Sequence, residues 1–273
     1  TIMLQGSVTA YTIGGVNKGV TIIGPGFNTT SVNGAEAMVS SEISLDVNNI
    51  RIIGLSVQGN IKFTGFFNDI TIKRTRFNAL TFAPGFGSGT WLNTTIEECF
   101  IVGNSGSVMD CPTYNWPNNA GFYNLKIRNN IINGTISSLN AYIINSVISN
   151  NVFLATNATN PNLLNCQNVN VVNNIFLTNN NSTAYNSYNN VQYNNNISYP
   201  TTLAFPNGTN YVNVNPMLVT PPAIPGIISF TNDYHLQSSS PDSAKGPDGL
   251  PNTTDDIGLH GGTGFYTMTG EPA

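Results

Sequence analysis

One six-residue pattern recurs along the 273-residue chain: an aliphatic residue, a variable one, a polar pair, then two apolar residues. It is clearest as Ile127-Arg-Asn-Asn-Ile-Ile132, Ile148-Ser-Asn-Asn-Val-Phe153 and Val171-Val-Asn-Asn-Ile-Phe176. Looser copies start at Ile22, Ile52, Ile72, Ile96 and Tyr193, so successive starts lie 30, 20, 24, 31, 21, 23 and 22 residues apart. A period near 22 with elastic excess suits a coil of short strands, in which each turn stacks on the last and insertions bulge from one corner. Eight rungs at strand spacing make a rod roughly 38 Å long. Helical repeats of similar period need an amphipathic stretch of ten residues or more, and these repeats hold Asn pairs, Gly and β-branched runs instead.

In this register the first column reads Ile52, Ile72, Ile96, Ile127, Ile148, Val171 and Tyr193. These are core-facing positions, since β-branched residues suit stacked strands. Two columns on, Asn129, Asn150, Asn173 and Asn195 align, and the next column holds Asn130, Asn151, Asn174 and Asn196. Asn tolerates left-handed corners, and its amide can bond up and down a stack. One of the two columns is expected to be a buried asparagine ladder; the residues alone leave open which.

Composition supports a strand-rich chain. Asn, Thr and Ser number 44, 29 and 21, or 94 of 273 residues, types that favour turns and strands over helix interiors. Only 8% of residues are charged, so few ionisable groups remain for chemistry. A net charge of −4 with nine Lys plus Arg leaves no electrostatic footprint for nucleic acid. No run reaches the 18 apolar residues of a membrane span, and Thr1 to Gly6 lacks a signal peptide's basic and apolar regions, which fits numbering that begins after a removed export signal. Cys99, Cys111 and Cys166 have no CxxC spacing, and buried free thiols are expected.

With these rungs, the segment Lys18-Gly-Val-Thr-Ile-Ile-Gly-Pro-Gly26 and the ordered exit Asn215-Pro-Met-Leu, Asp233-Tyr-His-Leu236, Ser240-Pro241 and Asp256-Ile-Gly-Leu-His-Gly-Gly262, the chain resembles the right-handed parallel β-helix proteins of the pectin-lyase-like superfamily. It resembles secreted or surface bacterial members most. The resemblance implies an all-β, right-handed parallel β-helix of roughly eight or more rungs with an irregular C-terminal cap. A single domain spans 1–273: an opening rung at 1–21, regular rungs at 22–199, and a terminal rung and cap at 200–273. The Pro-rich stretch 200–226 is expected to cover the open end, where unpaired strand edges invite aggregation.

Polysaccharide lyases of that superfamily cleave uronic acid polymers with a Lys or Arg base, often beside calcium. The matching cluster is Lys73, Arg74 and Arg76, then Glu97 and Glu98 one rung later, then Arg128. If the chain is a lyase, Lys73, Arg74 and Arg128 are its catalytic candidates. Their alternation with carboxylates favours a plain charge ladder, because adjacent carboxylates raise the pKa of a basic group. Hydrolases need two flanking carboxyl groups, whereas Asp46, Asp69 and Asp110 are scattered, and His235 and His260 read as cap residues. Calcium is possible at Asp248, Asn252, Asp255 and Asp256, a dense oxygen set that lacks EF-hand spacing. The nine Asn-x-Ser/Thr sequons match chance and carry no argument.

Aromatic rings stack on apolar sugar faces, and Trp91, Tyr114, Trp116 and Tyr123 are the candidate carbohydrate-binding residues; the Met109–Asn119 excursion is the most elaborate insertion. The expected function is therefore a non-catalytic secreted or cell-surface module, carbohydrate-binding or adhesive and structural. Its expected partners are a polysaccharide or a neighbouring surface protein, within a longer multidomain chain, without nucleic acid or membrane insertion. The alternative is a polysaccharide lyase acting on uronic acid polymers.

Overall fold

The computed structural model describes residues 1–27, 36–82, 89–103, 107–110, 121–137, 142–155, 166–178, 190–200, 205–222, 232–245, 250–251, 253 and 256–261. The chain is an all-β parallel solenoid built from sheets of eleven, nine and six strands. Its one described helix is the short turn Asp242–Lys245.

The first sheet carries the repeat. Ile22 pairs with Ile52, Ile52 with Ile72, Ile72 with Ile96, Ile96 with Ile127, Ile127 with Ile148, Ile148 with Val171, and Val171 with Tyr193, all in parallel. Every member of this column is at most 3% exposed, so the aliphatic residue that opens each repeat is the inward one. The second sheet stacks the apolar pair that closes each repeat, as in Ile132, Phe153 and Phe176. The Phe153 and Phe176 rings lie 4.8 Å apart and nearly parallel. The third sheet has six strands, from Gly15–Val16 to Thr135–Ser137. All three sides are thus complete over about six turns. This is somewhat fewer than the eight or more rungs expected, because among the described residues the third side stops while the first ladder continues.

Corner geometry divides the two Asn columns between two jobs. Asn129, Asn150, Asn173 and Asn195 sit at φ of 53°, 56°, 57° and 54° and turn the chain from the first sheet into the second. Asn is enriched at such angles, which other L-residues avoid. The following column is the buried ladder. Asn130 Nδ2 donates to Asn151 Oδ1, Asn151 to Asn174, Asn174 to Asn196 and Asn196 to Asn210, each at 2.9 to 3.0 Å. Each acceptor oxygen also takes the backbone N–H of the preceding ladder residue, and each amide reaches a rung carbonyl such as Ile127 O for Asn151. At the upper end Cys99 takes the ladder position: its N–H donates to Asn130 Oδ1 and its thiol to Ile72 O. Cys99 and Cys166 are buried thiols, and Cys111 lies outside the described residues.

The cap is a short antiparallel pair, Leu218–Thr220 with Asp233–Leu236, followed by a strap at 256–261 that folds back over the turning corner. Asn129 Nδ2 donates to the Leu259 and Gly261 carbonyls, Asn150 Nδ2 donates to Asp256 O, and Gly258 N–H donates to Asn173 O. Asn129 and Asn150 are buried there by a segment more than a hundred residues away in the chain.

Candidate functional site

Parallel register aligns Lys73, Glu97 and Arg128 on the outward side of the first sheet. Lys73 Nζ lies 3.0 Å from Glu97 Oε1 and 3.0 Å from Glu98 Oε1. Arg74 Nε donates to Glu98 Oε2, and Arg128 Nε donates to Glu97 Oε2 at 2.7 Å. All three lyase candidates therefore face carboxylates. Partial burial pulls the Lys73 ammonium down, but hydrogen bonds and charge from Glu97 and Glu98 outweigh it and hold the group above its ordinary value. Burial likewise pushes Glu97 up, and the hydrogen bonds of Lys73 and Arg128 overcome that and leave it below the ordinary carboxylate value. A base must be neutral to take a proton, so this arrangement keeps Lys73 in the wrong state. Arg74 and Glu98 occupy the left-handed corner at φ of 48° and 54°, where their rungs have no Asn. That conformation costs each residue roughly 1 kcal/mol, offset by the pair they form.

The aromatic candidates separate. Trp91 is 2% exposed; its ring stacks on Phe122 at 4.7 Å, meets Phe82 edge-on, and its Nε1–H donates to Gly65 O. Its faces are held by protein rings, so it packs the third corner of the solenoid rather than opening a platform for sugar. Tyr123 is half-buried. Tyr114 and Trp116 lie outside the described residues, as do Asp248, Asn252 and Asp255. Of the calcium set, Asp256 is buried under the cap, where Oδ2 accepts from Thr253 N–H. Among the described residues no three His, Cys, Asp or Glu side chains gather as a metal cluster, and no helix is long and apolar enough to cross a membrane.

In the cap, His235 and His260 stack at 3.5 Å, and His235 Nδ1 lies 2.6 Å from Asp233 Oδ1. Burial, then the His235 charge, pushes His260 down to about 4, against the opposing pull of Asp233.

The open site lies elsewhere on the first sheet. A groove of about 370 Å³ runs between two columns of side chains: Asp69, Asn93, Asn124 and Asn145 on one side, Thr95, Lys126 and Val147 on the other. The first column is a second left-handed corner, with φ of 59°, 56°, 58° and 51°. Its side chains face outward and bond to one another: Asn93 Nδ2 donates to Asp69 Oδ1 at 2.9 Å, and Asn124 Nδ2 to Asn93 Oδ1 at 3.1 Å. The same pattern continues from Asn145 through Asn168 to Asn190.

This outer amide column was missed in the sequence, although its signal is regular. Asn49, Asp69, Asn93, Asn124, Asn145, Asn168 and Asn190 each stand three residues before a first-column residue. The six-residue pattern begins at the aliphatic position and leaves out this polar position three residues upstream, so the full unit spans nine residues.

No known family model matches the chain, and no curated protein or solved structure is detectably similar to it.

Proposed function

We propose that the chain is a non-catalytic parallel β-helix module that binds carbohydrate, in a secreted or bacterial cell-surface protein of the pectin-lyase-like type with further domains. The outward amide column along the groove carries this reading. Asn has two donor hydrogens and two acceptor lone pairs. The column bonds use one of each at Asn93, leaving a donor and an acceptor facing the groove. Such paired amides suit sugar hydroxyls, and a stacked solenoid holds them rigid before the ligand arrives. The charge ladder stands beside this groove with both of its carboxylates held by cations.

The test is glycan binding by an Asn93→Gly, Asn124→Gly double variant. Glycine tolerates the positive φ of both positions while removing both amides. Loss of binding by a variant with an unchanged circular dichroism spectrum supports the reading. Full retention removes the groove as the site. Unsaturated products from a uronate polymer, abolished by Arg128→Ala, replace the module with the lyase alternative.

A further inference from the structure

Building on that reading, we infer that the groove takes an extended, largely uncharged glycan laid parallel to the solenoid axis, one sugar per rung across four rungs. Three observations fix the class.

The first is spacing. Asp69, Asn93, Asn124 and Asn145 occupy consecutive rungs, as the pairing of Thr71 with Thr95, Thr95 with Lys126, and Lys126 with Val147 requires. Stacked parallel strands recur about every 4.8 Å. An equatorially linked chain of six-membered sugar rings has a monomer length close to that rise. Each ring then stands opposite one rung, and because successive rings of such a ribbon are turned over, alternate rings present the same edge to the column. A glycan that coils, as axially linked α-chains do, drifts out of phase with the column within two or three rungs.

The second is charge. The groove has Asp69 at one end and Lys126 two rungs along, the latter with no ion pair among the described residues. Asp69 has one oxygen bonded to Asn93 Nδ2, and its carboxylate accepts hydroxyl donors while repelling another carboxylate. A polymer acidic at every sugar thus meets repulsion at the Asp69 rung. Lys126 donates only, and suits a hydroxyl, an acetamido carbonyl or a single acidic substituent at its own rung.

The third is surface character. Val147 lines the far end and Thr95 the middle, so the groove floor alternates methyl and polar groups. Sugar rings present C–H faces between their hydroxyls, and Val147 and Leu125 offer apolar contacts for such a face.

The experiment is calorimetric titration of the whole chain with β-1,4-linked gluco-oligosaccharides of two to six units. Matched series of α-1,4-linked gluco-oligosaccharides and β-1,4-linked oligomannuronate complete it. Affinity for the β-gluco series is expected to rise with length and level off at four units. Oligomannuronate is expected to bind more weakly, and Asp69→Asn to raise its affinity relative to that of the neutral series about threefold, the size an exposed charge pair supports. Equal binding of α-linked and β-linked chains, no plateau at four, or tighter binding of oligomannuronate than of the neutral series overturns the inference while leaving a carbohydrate module in place. Absence of binding to all three series and to a broad glycan panel overturns the function itself.

Discussion

Asn130 Nδ2 donates to Asn151 Oδ1 at 2.9 Å in a site where neither residue is exposed, and that same oxygen also accepts the Asn130 backbone N–H at 3.0 Å. Asn151 therefore satisfies two donors of the rung above while its own amide serves Ile127 O and Asn174 Oδ1. Asn151→Ala takes a partner from four buried polar groups; Asn130 Nδ2 keeps Ile96 O and Asn174 Oδ1 keeps the residue 151 N–H, so the Asn130 N–H is the one left orphaned. An orphaned buried group costs about 1 to 3 kcal/mol, and with the weakened groups beside it the net loss is about 3 kcal/mol. Denaturant unfolding checks this. A loss below about 1 kcal/mol means that water or backbone shifts replace the ladder, and that the column is not a principal source of stability.

The charge column makes a different prediction, because its partners are partly exposed. Glu97 is held below its ordinary value, so its contribution is present above about pH 5 and disappears as pH falls through the folded value. Lys73 is held above its ordinary value, so its contribution is complete below its unfolded value near 10.5 and fades as pH rises beyond the folded one. The pair thus stabilises across the neutral range and fails at both ends. A Lys73→Met, Glu97→Gln double-mutant cycle is expected to give about 1 kcal/mol of coupling at pH 7, discounted for the 29% exposure of the lysine side chain, and none at pH 2.5. Equal coupling at both pH values rules out an electrostatic origin.

The solenoid was legible because its repeat is written in residue types that only one geometry satisfies. Ile127, Ile148 and Val171 recur at the inward position, and the Asn pairs mark a corner. The same letters serve both columns, so which pair member is buried was not. It is decided by backbone angle: Asn129 takes the left-handed corner and Asn130 is then carried inward. Lys73, Glu97 and Arg128 each stand one residue after a first-column position, so they share a column and their ion pairs follow from register. Trp91 was misread as an open platform, since aromatic type says nothing of which neighbours close over it; Phe82 and Phe122 do so from other rungs. The strap was legible as a motif, yet its contact from Leu259 to Asn129 spans 130 residues and no local pattern specifies it.

His260 ties that strap to the cap through its stack on His235. Its pKa is lowered from 6.5 to about 4, so the folded state disfavours its proton. The stabilisation is complete above about pH 6.5 and is lost as pH falls towards 4. The size is on the order of 2 kcal/mol after allowing for partial solvent contact. Unfolding free energy measured at pH 7 and pH 4.5 is expected to drop for the unaltered chain by about that much more than for His260→Gln. Parallel pH profiles for the two proteins mean that carboxylates, not the imidazole stack, govern acid sensitivity.

Gly258 supplies the backbone angle that lets the strap follow the corner asparagines. It sits at φ of 100°, and a Cβ built there lies 2.5 Å from Ile175 Cδ1, so alanine meets both backbone strain and a buried side chain. Its N–H donates to Asn173 O at 2.8 Å, the contact that alanine displaces first. Gly258→Ala is expected to lift the strap rather than unfold the stack, because strain of about 2 kcal/mol is small beside the cooperative ladder and large beside a single surface segment. Amide hydrogen exchange separates the two. Exchange at residues 258 and 261 should accelerate by more than tenfold in the Gly258→Ala variant, the factor that 1.4 kcal/mol represents, while the Asn151 and Ile175 amides keep their protection. Uniform acceleration across the rungs instead makes the strap part of the global folding unit, and unchanged exchange at Gly261 means that the corner asparagines do not depend on residue 258 for their cover.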